Sequence, residues 1–183
     1  MAPLPAVIPT VSTARVRLRP FAPVDAPAVV ALAGDREVAR YLLHVPHPYP
    51  PELAASWIAT HAETWLAGAG PTWAIERADD RTVVGTISLR WTPRHGRAEL
   101  GYWLGRAHWG HGYAVEAGRA AVQWAFDHLD VHRVHADHLA GNDRSARVLL
   151  ALGMQAEGVR RQHLRKGGVI HDVHLYGCLR TDT

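Results

Sequence analysis

Trp109-Gly110-His111-Gly112-Tyr113-Ala114 stands between a strand-like stretch and a long amphipathic helix, and its reading decides the fold. Two glycines so close together let the backbone approach a ligand. The helix that follows adds its unpaired first-turn N–H groups and the positive end of its dipole. Turn and helix together read as an anion cradle, with a phosphorylated cofactor as the expected ligand. A dinucleotide fingerprint needs a third small residue where Val115 stands, and no Gly-Lys-Ser/Thr follows to make a P-loop. These six residues alone also leave open a plain glycine-containing strand-to-helix turn.

Upstream of the turn, residues 72–77, 82–91 and 97–104 are strand-like, joined by Asp79-Asp80 and by residues 93–96, and suggest an antiparallel meander. Residues 14–19 alternate Arg15, Arg17 and Arg19 with Val16 and Leu18, the period of a first strand with one wet face. Asp25 caps a helix to Ala33, residues 37–43 read as a second short helix, and residues 44–51 as a proline-rich loop. Residues 52–66 place Leu53, Trp57, Ile58, His61 and Trp65 on one helical face. Downstream, residues 112–129 have helical spacing and residues 133–139 read as a buried strand. Asn142 opens a further helix through Leu152, and residues 154–165 and 169–179 form a closing hairpin around Gly167-Gly168. The expected fold is α/β, a mixed and mostly antiparallel sheet flanked by helices. Residues 1–13, broken by Pro3, Pro5 and Pro9, are expected to be a flexible arm, and residues 14–183 a single domain.

Composition narrows the class. The chain has 183 residues, 48% of them hydrophobic and 20% charged, which is ordinary for a globular domain with a full core. A net charge of +3 with basic residues spread along the chain, apart from the group Arg160, Arg161, Arg165 and Lys166, falls short of a nucleic-acid footprint. No apolar run approaches membrane-spanning length. Cys178 is the single cysteine, so an intrachain disulfide is excluded and a reducing, cytoplasmic setting is expected. Thirteen histidines invite a metal reading, but His132, His135 and His138 lack a thiolate or a helical pair at ligand spacing, so no metal site is expected. Trp57, Trp65 and Trp73 read as core or dimer surface, and a homodimer is carried as an expectation.

Four elements now stand in order: residues 98–104 (Ala-Glu-Leu-Gly-Tyr-Trp-Leu), the turn at 109–114, Asn142-Asp143-Arg144-Ser145, and Leu152-Gly153-Met154 with the later His171-Asp172-Val173. Together they resemble the GNAT N-acetyltransferase superfamily, in its RimJ/RimL-like branch, and the likeness runs from Arg15 nearly to the end. The resemblance implies acetyl-CoA as cosubstrate and acetyl transfer to a primary amine, on a protein N-terminus or a small molecule. It places the pyrophosphate on the backbone of Trp109, Gly110, His111, Gly112, Tyr113 and Ala114, where Trp109 replaces the family's usual Arg or Gln. It places the pantetheine along the free backbone groups of Tyr102, Trp103 and Leu104 and against Asn142, in a split between the strands at 97–104 and 133–139.

For chemistry, the resemblance puts Glu99 on the acceptor side as general base, direct or through water, and Ser145 near the thioester sulfur as acid. A solvated strand carboxylate and a first-turn serine are the bland alternatives, as an N-cap is for Asn142. Many relatives carry a tyrosine where Leu149 stands, and some RimL-like enzymes a glutamate base where Leu164 stands, beside His163. Glu116 is read as a structural carboxylate that helps the helix dipole or pairs with Arg119, and His171-Asp172 as ordering the last strand or forming a base pair in the proton path. Two rival functions follow from the departures: a non-catalytic acyl-CoA-binding module, and a transferase for another acyl group such as succinyl.

Overall fold

The computed structural model describes residues 5–182. Eight strands form one sheet in the order β1-β2-β3-β4-β5-β6-β8-β7. They are β1 (Val11–Ser12), β2 (Val16–Pro20), β3 (Thr72–Arg77), β4 (Val83–Thr92), β5 (Arg97–Leu104), β6 (Arg133–Leu139), β7 (Gln155–Lys166) and β8 (Val169–Leu179). The helices are α1 (Ala26–Ala33), α2 (Arg36–Ala39), α3 (Pro51–Leu66), α4 (Tyr113–His128) and α5 (Asp143–Ala151). Every strand pairing is antiparallel except β5 with β6, whose join is the long crossover through α4.

Alternation along β5 sends neighbouring side chains to opposite faces, and each face has its own core. Ala98, Leu100 and Leu104 join the large cluster with Ala117, Ala121 and Phe126 of α4 and Leu149 of α5. Trp103 packs instead with Val29 and Ala33 of α1 and Ala54 and Ile58 of α3. Helices thus cover both sides, and the sheet carries the site between them.

Two expectations change. Residues 8–12, taken from sequence as part of a loose arm, dock on the sheet: Ile8 is buried, and Val11–Ser12 pairs with β2. Proline removes donors but keeps acceptors. Here the Pro5 and Pro9 carbonyls accept from the indole N–H groups of Trp65 and Trp73 at 2.8 and 2.7 Å. Residues 1–4 of the expected arm lie outside the described residues. The second helix, expected over 37–43, ends at Ala39. Beyond it the backbone continues only in short i→i+3 turns, the Tyr41 and Leu42 amides donating to the Val38 and Ala39 carbonyls. The Leu42 carbonyl accepts from both the Val45 amide at 3.3 Å and Lys166 Nζ at 2.6 Å, and the Tyr41 hydroxyl donates to the Gly141 carbonyl at 2.9 Å.

Candidate active site

β5 and β6 are paired only at Arg97–Arg133, Ala98–Val134 and Glu99–His135. Beyond Glu99 the strands part, and the opening is the head of a cleft of about 1060 Å³, a generous volume for a small-molecule site. Glu99, Tyr102, Trp103, Leu104, Trp109, Gly110, Gly112, Ala114, Asn142 and Ser145 all line it, so the structure gathers the sequence-predicted residues in one place. His111 and Tyr113, whose stacked rings are 5.8 Å apart, lie on the same turn.

The turn has the form its glycines predict. Gly110 and Gly112 take φ of 80° and 81°, a region costly for any residue with a Cβ, and Gly112 is the N-cap of α4. Its base is braced from the turn between β1 and β2: Arg15 Nη1 donates to the His111 carbonyl at 3.0 Å, while Arg15 Nε meets Glu116 at 2.7 Å. Glu116 also accepts from the Thr13 hydroxyl and the Arg15 amide. Its partner is therefore Arg15, not the Arg119 expected from helical spacing, because Arg119 Nη2 is turned to the Ala151 carbonyl at 3.0 Å. Burial opposes ionisation of Glu116, but these donors outweigh it and hold the carboxyl below its usual range.

Trp109 supplies no phosphate ligand. Its indole N–H donates to the Leu104 carbonyl at 2.8 Å and its ring lies under the Arg144 guanidinium, 4.6 Å away. One lone pair of that Leu104 carbonyl is thus engaged, leaving the other for a ligand. Asn142 caps α5, with Oδ1 accepting from the Ser145 amide at 3.3 Å, and its two Nδ2 hydrogens remain as donors. Ser145 Oγ lies 2.8 Å from the Tyr102 hydroxyl, a contact the sequence reading, which used Tyr102 for its backbone alone, did not contain. Burial pushes the Tyr102 phenol up to about 12. Leu149, standing where relatives carry a tyrosine, is fully buried core.

At the other end of the cleft stand Glu99, Asp137 and His163. Glu99 is about one-third exposed and 3.5 Å from Arg90. Asp137 was absent from the sequence reading, although strand periodicity sets it on the same face as Glu99 through the Glu99–His135 pair. Desolvation in the cleft and the Glu99 charge push its carboxyl upward. His163 is carried by a wide bulge in which residues 161–163 of β7 oppose the single Asp172 of β8. Gln162 takes φ of 51° there, and its amide donates to Asp172 Oδ1 at 2.7 Å. Asp172 therefore orders the sheet beside the cleft. Among the described residues no group of three or more His, Cys, Asp or Glu could hold a metal ion, and no helix is long and apolar enough to cross a membrane.

A parallel pair that splits open beside a glycine turn, with a capped helix across the gap, defines the class of GNAT-fold transferases. Residues 15–155 match the sequence model of the acetyltransferase (GNAT) domain, and the chain belongs to that family. The N-acetyltransferase YoaA of Bacillus subtilis, itself uncharacterised, is 34% identical over 175 residues, covering 95% of this chain and 98% of YoaA. Among solved structures, RimL, the ribosomal L7/L12 α-N-protein acetyltransferase in complex with coenzyme A, has a TM-score of 0.83 at 19% identity, covering 93% of this chain and 97% of RimL. The microcin C7 self-immunity acetyltransferase MccE in complex with acetyl-CoA and AMP has a TM-score of 0.83 at 19% identity, covering 91% and 93%. These two likenesses are likenesses of fold.

Proposed function

We propose that the protein is an acetyl-CoA-dependent N-acetyltransferase that moves the acetyl group directly to a primary amine. The single observation that carries this is the parting of β5 and β6 immediately beside the Gly110/Gly112 turn. An extended arm ending in phosphates fits that shape: unpaired strand edge for the arm, helix N-terminus for the pyrophosphate. The backbone of Tyr102, Trp103 and Leu104, the Asn142 amide and the turn from Trp109 to Ala114 would hold it. Bound acetyl-CoA supplies its acetyl group as a thioester, whose C–S bond breaks as the C–N bond to the amine forms, leaving the electron pair on sulfur.

The chain's own groups handle the protons and the charge. Glu99, at the far side of the split, takes a proton from the acceptor ammonium, directly or through water, which frees the nitrogen lone pair for attack; once the C–N bond has formed, the nitrogen loses its second proton to water. Backbone N–H groups at the split donate to the oxygen that becomes negative. Ser145 offers its hydroxyl hydrogen to the departing sulfur. The acceptor end, with Asp137 and His163 beside Glu99, suits a cationic amine; RimL, of the same fold, is an α-N-protein acetyltransferase, and MccE a microcin C7 self-immunity acetyltransferase.

Calorimetric titration with acetyl-CoA tests the reading. Micromolar binding at one site per chain is expected, followed by acetylation of one class in a panel of N-terminal peptides, polyamines and aminoglycosides. Binding without transfer to any amine would leave an acyl-CoA-binding module, preference for succinyl-CoA would change the donor, and absence of binding would overturn the proposal.

A further inference from the structure

The contact between Tyr102 and Ser145 fixes where the serine hydrogen can point. The Tyr102 oxygen is 2.8 Å from Ser145 Oγ and 3.3 Å from the Ser145 carbonyl oxygen. A phenol has one hydrogen, and a carbonyl can only accept. If that hydrogen served the carbonyl, the serine would have to spend its own hydrogen on the phenol oxygen. The shorter contact favours the other arrangement, in which Tyr102 donates to Ser145 Oγ and the serine hydrogen is released for a third partner. Ser145 lies in the first turn of α5 and lines the cleft, so that partner comes from the cleft.

We infer that Tyr102 is a positioning residue: by donating to Ser145 Oγ it turns the serine hydrogen toward the sulfur of the bound thioester, so that the departing thiolate is held by a hydrogen bond and is not protonated in the site. The inference rests on the proposed cofactor site and deepens it. Proton bookkeeping supports it. A thiol of ordinary acidity, about 8.5, is a stronger acid than either hydroxyl. Full transfer from the Tyr102 phenol, at about 12, would run uphill by roughly three powers of ten. Donation without transfer needs no such cost, and a donor chain of two hydroxyls strengthens the final bond. The thiolate leaves with its electron pair and takes a proton from solvent.

The test reads binding, not turnover. Coenzyme A affinity is measured by calorimetry from about pH 6.5 to 9 and compared at each pH with desulfo-coenzyme A, which lacks the sulfur. The charged and titratable groups lining the cleft with the pair are Glu37 and His44 on and after α2, Arg90 on β4, Glu99 on β5, His108 before the turn, Asp137 and His138 on β6, Arg144 and Arg147 on α5 and His163 on β7. Any pH effect common to both ligands, that of the phosphates included, divides out of the ratio, and the two variants separate the Tyr102–Ser145 pair from the other cleft groups. In the unaltered protein the preference for coenzyme A over the desulfo compound should grow about tenfold over this range, because thiolate is the favoured form. Ser145→Ala should abolish that growth, and Tyr102→Phe should reduce it severalfold, each variant being referred to its own affinity for desulfo-coenzyme A. A flat ratio in the unaltered protein, or an undiminished rise in Tyr102→Phe, overturns the inference. Failure to bind either compound would instead overturn the cofactor site itself.

Discussion

The Gln162 amide and the Asp172 carboxylate are 2.7 Å apart across the β7–β8 ladder, and this bond closes a bulge that three residues on one strand open against one on the other. A non-glycine residue at φ 51° carries a conformational cost of about 1 kcal/mol or more, and a bond to a charged acceptor of about 1.5–3 kcal/mol offsets it. Because the bulge carries His163 to the cleft, Asp172→Ala should raise the acceptor KM several-fold and speed amide exchange at residues 161–163. Acetyl-CoA affinity, measured by calorimetry, should stay within twofold, since the phosphate turn is on other elements.

Lys166 and Tyr41 fasten the segment after α2 to the opposite half of the cleft, through the Leu42 and Gly141 carbonyls. Removing the cation while keeping the stem, as in Lys166→Met, deletes the bonds to the Leu42 and Val45 carbonyls, worth about 1–2 kcal/mol together. The expected result is a higher acceptor KM with little change in kcat, read from steady-state kinetics. A proportional fall in kcat with constant KM would contradict this placement of the segment.

Glu116 joins the first strands to the phosphate turn through Thr13 and Arg15. Glu116→Ala should lower unfolding free energy by about 2 kcal/mol and weaken coenzyme A binding several-fold, since Arg15 would lose the partner that aims it at the His111 carbonyl. Its carboxyl is held below the usual range, so this stabilisation is present above the unfolded pKa and disappears as pH falls through the folded one. Denaturation curves of the two proteins should differ at neutral pH and converge near pH 3.

His61 is buried against Phe21 and Trp57, with ring centroids 5.4 and 4.4 Å away, and neither ring nitrogen has a hydrogen-bond partner among the described residues. Burial lowers its pKa to about 4. The folded state therefore favours the neutral ring. Stability is full above about 6.5, the unfolded value, and declines as pH falls from there toward 4, by up to about 3 kcal/mol. Chemical denaturation between pH 7 and 5 should show this slope, and His61→Leu should flatten it.

The strands with clean alternation or aliphatic runs were legible from sequence: Thr72–Arg77, Arg97–Leu104 and Arg133–Leu139 fall where their side-chain patterns placed them. So was the turn, whose φ values only glycine tolerates cheaply. What escaped were features set by distant partners. The segment after α2 is tied to a lysine more than a hundred residues away, and residues 5–12 are held by indole donors from α3 and β3. The β7 bulge contains no glycine to announce it, so His163 could be noticed but not placed. Tyr102 meets Ser145 only because β5 and α5 face one cleft, a juxtaposition across forty-three positions that no local period encodes.

Three residue pairs are all that stitch β5 to β6, whereas β6 and β8 share seven. In the language of partial unfolding, the sheet has a perforation. The strands β6, β8 and β7 should open as one cooperative block, with amides exchanging together and earlier than those of β3 and β4. An occupant that adds rungs along the perforation would raise the opening energy of that block before it raised the global one. The cofactor would then act as a removable staple of the native state, and its departure would loosen the acceptor end of the cleft on the side where β7 carries His163.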